Sequence, residues 1–170
     1  MGTIRSHALT IGLLGALSLA GCVLPPPPGE LVPPRVEVLA GDARSTRYGG
    51  SAAEIFEHPA IRDKVRALFG PDWSGGPAGG LSAAAPLFFV TSSPPRGVRI
   101  GDREYLAVSG CMTAACPTRR GLVLVGADGE RLLARVDDGG FTRRYGFGPG
   151  MTVMTAEDRL LVDAAWGALR

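Results

Sequence analysis

The feature that most limits how this chain can fold is the run of turn dipeptides between residues 96 and 147. "GVRIGDREYLAVSGC" is centred on Gly101-Asp102, and "GLVLVGADGERLLARV" on Asp128-Gly129. Each reads as two strands joined by a tight turn, because Gly and Asp accept the backbone angles such turns need. Asp137-Asp138-Gly139-Gly140 then leads into "FTRRYGF", a further strand, and "PLFFVTS" at 86–92 reads as an apolar strand ahead of both hairpins. Successive hairpins predict an antiparallel meander of about five strands, not a parallel sheet. "RVEVLA" at 35–40 either adds a strand or extends the segment before it.

Helices flank this block, so the expected class is α+β with helices packed on the sheet. In "SAAEIFEHPAIRDKVRALFGPDW", Ser51 and Glu54 have capping-box spacing. Pro59 starts or restarts the helix. Ile61, Val65, Leu68 and Phe69 share one face, while Arg62, Asp63, Lys64 and Arg66 lie elsewhere. Gly70-Pro71 stops the helix. In "TAEDRLLVDAAWGALR", Thr155 reads as the N-cap. Leu160, Leu161, Ala164, Ala165 and Leu169 make the apolar stripe. "GPDWSGGPAGG" lacks the Lys-Ser/Thr ending of a phosphate loop and reads as a connector.

The N-terminal stretch reads as an export signal over residues 1–21. Arg5 is followed by the apolar "ALTIGLLGALSLA", too short for a membrane span of about 20 residues. It ends in "LAGC", which resembles the lipobox of bacterial lipoproteins. The resemblance implies cleavage before Cys22, lipidation of that cysteine and anchoring to a membrane without a transmembrane helix. Val23 stands where an Asp tends to retain such proteins in the inner membrane, which implies outer-membrane sorting with a periplasmic domain. "VLPPPPGELVPPR" favours polyproline II and reads as part of a tether over 22–48. The globular domain is then expected over 49–170. Without residues 1–21 the net charge falls from +2 to +1, which gives no case for a nucleic-acid partner.

Lipidation of Cys22 leaves Cys111 and Cys116. Outside the cytoplasm such a pair tends to oxidise, and a disulfide is the reading, with free thiols as the alternative. Metal binding competes poorly. A zinc site wants four ligands, and His58 is the one histidine beyond the signal segment. A thioredoxin-type redox motif needs two residues between its cysteines, not four.

"VRIGDREYLAVSGCMTAACPTRRGLVLVGADGERLLARV" resembles the Ivy family, periplasmic inhibitors of vertebrate-type (c-type) lysozyme. The shared features are a strand, a Gly-Asp turn, a Tyr-bearing strand, Cys-x4-Cys, an apolar strand and another hairpin. The resemblance spans roughly residues 59–168. It implies a twisted antiparallel sheet with helices on it, and a disulfide-closed loop that enters the lysozyme cleft. In the inhibitors that loop reads Cys-Lys-Pro-His-Asp-Cys. Here Met112, Thr113, Ala114 and Ala115 replace its four inner residues, and Cys111 and Cys116 alone carry over. Arg119 and Arg120, just past the loop, are the cations left to meet lysozyme's carboxylates.

The functional expectation is an outer-membrane-anchored lipoprotein with an Ivy-like domain. It would present residues 112–115, with Arg119 and Arg120, to a lysozyme-like glycosidase or another envelope protein. The alternative is a non-inhibitory structural or assembly lipoprotein that kept only the scaffold. No catalytic residue, metal site or cofactor is expected. Ser109 lacks a Gly-x-Ser-x-Gly setting, and His58 reads as a cap or surface residue.

Overall fold

Seven strands form one antiparallel sheet in the computed structural model, which describes residues 31–41 and 43–169. The export signal, Cys22 and the tether up to residue 30 lie outside the described residues. The strands are β1 (Val36–Leu39), β2 (Thr91–Ser92), β3 (Arg96–Ile100), β4 (Arg103–Cys111), β5 (Arg119–Gly126), β6 (Leu132–Asp138) and β7 (Phe141–Phe147). The helices are α1 (Ala52–Glu57), α2 (Arg62–Phe69) and α3 (Ala156–Ala168). Spatial order is β1-β3-β4-β5-β6-β7, and β2 pairs with β4 beyond the end of β3.

The α+β class and the meander agree with the sequence, but seven strands replace the expected five or so. The run at 86–92 is the main correction. Ala85–Phe89 winds into a 3₁₀ turn, and only Thr91–Ser92 joins the sheet. Pro86 explains this, because its fixed φ and missing N–H suit a first helical turn. Phe88 and Phe89 are then both buried, which adjacent residues on a one-faced strand are not. Val36–Leu39 settles as an edge strand against β3. Tyr48, one residue ahead of the expected domain, is also buried.

Both faces of the sheet are covered. On one face Leu106, Val108, Val123, Val125, Ala134 and Val136 pack under α1, α2 and the 3₁₀ turn. On the other face Ala107, Leu122, Leu124 and Leu133 pack under Leu161, Val162, Ala165 and Trp166 of α3. That is why "LVLV" in β5 is apolar without alternation; a strand buried on both sides needs apolar residues at every position. Gly110 and Gly121 are cross-strand partners on the first face. A Cβ on Gly121 would stand 2.3 Å from the Phe89 ring and one on Gly110 2.7 Å from the Phe89 Cα, so Gly121 makes room for the ring and Gly110 for the backbone.

The helices begin as their caps dictate. Ser51 Oγ accepts from Glu54 N at 3.3 Å, and Glu54 Oε2 accepts from Gly50 N at 2.9 Å. Thr155 and Asp158 form a reciprocal capping box at the start of α3. The buried stripe of α3 runs through Asp158, Leu161, Val162, Ala165 and Trp166. It is rotated from the expected one: Val162 and Trp166 join Leu161 and Ala165 in the core, while Leu160 and Ala164 are half-buried.

Candidate functional site

Cys111 ends β4 and Cys116 lies three residues before β5, and the two form a disulfide with Cα atoms 4.8 Å apart. The ladder continues one step past the bridge, where Met112 N donates to Arg119 O at 3.0 Å. Ala115 N then donates to Met112 O at 3.0 Å, and Arg119 N to Ala115 O at 2.8 Å. These bonds satisfy the backbone of a tight tip between β4 and β5.

The tip presents less than the sequence suggested. Thr113 and Ala114 are exposed, Ala115 is half-buried, and Met112 packs against the first core. Ala114 has φ of 64°, the one positive φ at a non-glycine among the described residues. An alanine held in the left-handed region is strained by about 1–2 kcal/mol. Strain of this kind persists where surrounding structure enforces it, here the ring closed by Cys111 and Cys116.

Arg119 and Arg120 leave β5 on opposite faces, as the period of two requires. Arg119 Nε lies 3.2 Å from Asp138 Oδ1. Asp138 is 8% exposed and also accepts from the Ser82 backbone at 2.6 Å and the Ser82 hydroxyl at 2.7 Å. Arg119 therefore balances a buried acid and fastens the loop before the 3₁₀ turn. Arg120 lies over the Trp166 ring, 5.2 Å from its centroid, on the α3 face.

An apolar cleft of about 450 Å³ borders the tip. It runs between α1 and the 3₁₀ turn, lined by Phe56, Trp73, Pro86 and Phe89, with Leu87 and Val90 exposed on it. Val90 leads into Thr91, which pairs with Cys111, and the Thr91 and Thr113 hydroxyls lie 3.3 Å apart. Tip and cleft thus form one continuous surface.

The burial of two acids, Asp72 and Asp158, escaped the sequence reading. Asp72 lies in the presumed connector, yet it is 5% exposed. It accepts from Leu81 N at 2.9 Å, from Gly80 N and from the Tyr145 hydroxyl at 2.9 Å. Burial raises its pKa, but those donors and Arg143 outweigh burial and hold the carboxyl below its usual range. Burial and the nearby Asp72 push the Tyr145 phenol well above its ordinary range. Asp158 behaves like Asp72: burial opposes ionisation, while Thr155 and Arg131 outweigh it. These groups organise loops and caps. Asp137 and Asp138, read as turn residues, instead end β6 on opposite faces.

His58 caps the end of α1. Its Nδ1 accepts from Ala60 N at 3.2 Å, and its ring meets Tyr48 edge-on at 5.2 Å. Among the described residues, no group of three His, Cys, Asp or Glu side chains is placed to hold a metal ion. No described helix is long and apolar enough to cross a membrane.

No family model matches the chain, and neither does a curated protein or a solved structure. The likeness to the Ivy family therefore rests on the order of elements and the cysteine spacing.

Proposed function

We propose that the chain is an outer-membrane-anchored lipoprotein whose domain binds a protein partner through the tip between β4 and β5. The partner class is a lysozyme-like glycosidase or another envelope protein. The observation that carries this reading is Ala114, held left-handed at the exposed end of a disulfide-closed ring. A strained, rigid tip loses little entropy on docking, and the apolar cleft beside it supplies area to bury.

The tip offers Thr113 and Ala114 rather than charged groups, so its contacts would be shape and backbone hydrogen bonds. The same lack of charge favours the second reading, a non-inhibitory structural or assembly lipoprotein. One experiment separates the two. The full chain, purified in mild detergent with its disulfide intact, is titrated into c-type and goose-type lysozymes while cell-wall lysis is followed. Inhibition at micromolar concentration supports the glycosidase partner. Undiminished lysis with folded protein removes that partner, and crosslinking in the envelope then identifies the resident one.

A further inference from the structure

Arg120 is positioned without being neutralised. Its guanidinium rests on Trp166, as does that of Arg135, 4.6 Å from the same ring. Arg135 is committed elsewhere, to Asp137 at 3.0 Å and to Asp163 at 3.0 Å. Arg144 also binds Asp163, at 2.8 Å. Asp137 stands directly across the ladder from Arg120, but its oxygens turn to Arg135 and to the Thr142 hydroxyl. Two of the three guanidiniums thus take both carboxylates. The surplus cation is Arg120, which forms no ion pair among the described residues.

A cleft of about 360 Å³ opens beside this cation. Pro117 and Thr118 line one side, Asp137, Gly140 and Thr142 line the other, and Trp166 contributes to the wall. Phe141, 79% exposed, opens β7 across from Asp138 and lies at the rim of the cleft. A half-buried cation, fixed by stacking and left outside an ion pair because Asp137 is held by Arg135, suits an amphipathic monoanion.

We propose that this cleft binds a carboxylate carried beside an apolar group, the chemistry of a peptide's C-terminal residue. The planar fork of Arg120 receives the carboxylate, and Pro117 with the exposed Phe141 at the rim meets the neighbouring apolar group. Trp166 holds the fork in place, so little side-chain freedom is lost on binding. One surplus charge matches a monoanion; the second charge of a phosphate dianion would meet Asp137. The site is separate from Thr113 and Ala114 and does not depend on a glycosidase partner.

The test is calorimetry on the full chain in mild detergent, with N-acetylphenylalanine, its amide and inorganic phosphate as probes. A charge-assisted hydrogen bond is worth about ten- to a hundredfold in affinity. The acid is therefore expected to bind at least about tenfold more tightly than the amide or phosphate. Arg120→Gln should remove that preference, and Arg120→Lys should retain part of it. Phe141→Ser, at a surface position that leaves the core intact, should weaken the acid severalfold. Thr113→Glu should leave binding unchanged. Equal binding of acid and amide, phosphate binding as tightly as the acid, unaltered binding by Arg120→Gln, or no binding of the acid at tens of millimolar would each overturn the proposal.

Discussion

Cys111 and Arg120 face each other across the ladder between β4 and β5. One closes the exposed tip and the other lies on Trp166. The bridge therefore stands one step before the end of the ladder, which runs on to Arg119. Closing a six-residue ring removes unfolded-state entropy worth about 2 kcal/mol. Replacing Cys111 and Cys116 together by Ala should lower unfolding free energy by about that amount, measured by urea denaturation, with the far-UV spectrum retained. A change under about 0.5 kcal/mol would mean the ladder alone holds the tip.

Ala114 gives the opposite sign. Glycine relieves left-handed strain of about 1–2 kcal/mol and returns about half of that as added unfolded-state freedom. Ala114→Gly should therefore stabilise the domain by about 0.5–1 kcal/mol. A destabilised variant would show that the alanine methyl is packed rather than strained.

The contact of Phe89 with Gly121 predicts a steep loss at a conservative substitution. A Cβ at residue 121 enters the Phe89 ring. Overpacking of this kind costs about 1–3 kcal/mol. Gly121→Ala should lower the denaturation midpoint accordingly, and adding Phe89→Leu should recover part of the loss. If the pair is simply additive, the two residues do not share the site.

Asp72 and Asp158 set the acid limit. Both have pKa values lowered from 3.8 in the folded chain. The unfolded state then binds protons more readily than the folded one. This contribution is present above the unfolded value and is lost as pH falls through the folded value. Stability should hold near neutral pH and drop below about pH 4. Asp72→Asn should flatten that drop. An equally steep drop in Asp72→Asn would place the acid sensitivity elsewhere.

Arg119 and Asp138 act as a pair with Ser82. Arg119→Met leaves a buried carboxylate without its cation, and a loss of about 1–3 kcal/mol is expected. Asp138→Asn should lose less in the Arg119→Met background than in the wild-type chain, read as a coupling energy in a double-mutant cycle.

The hairpins were legible because their information is local. Gly101-Asp102 and Asp128-Gly129 lie at turns between strands that pair along their own sequence neighbours. The caps at Ser51 and Thr155 were legible for the same reason, their partners lying three residues away. The run at 86–92 misled because apolar β-formers outvoted Pro86, whose ring decides the local geometry. Strand β1 was ambiguous because four residues behind a proline-rich stretch carry no periodicity of their own.

The site was half legible. Cysteine count and an expected oxidising compartment pointed to the disulfide. The opposite directions of Arg119 and Arg120 follow from strand period alone. Their partners do not: Asp138 meets Ser82 across 56 residues, and Trp166 reaches Arg120 only after α3 packs on the sheet. Asp72 looked like a connector residue because its partners are the backbone N–H groups of residues 80 and 81 and a tyrosine hydroxyl 73 residues away, which no local pattern reveals.

The central claim is that the tip at Thr113 and Ala114 contacts a lysozyme-like partner. The most direct measurement compares wild-type chain and Thr113→Glu in the same c-type lysozyme lysis assay. A glutamate at the tip would face the enzyme's catalytic carboxylates and be repelled. The account predicts inhibition by the wild-type chain at micromolar concentration and at least about tenfold weaker inhibition by Thr113→Glu. Equal inhibition by both, or undiminished lysis with folded, oxidised wild-type chain, would contradict it.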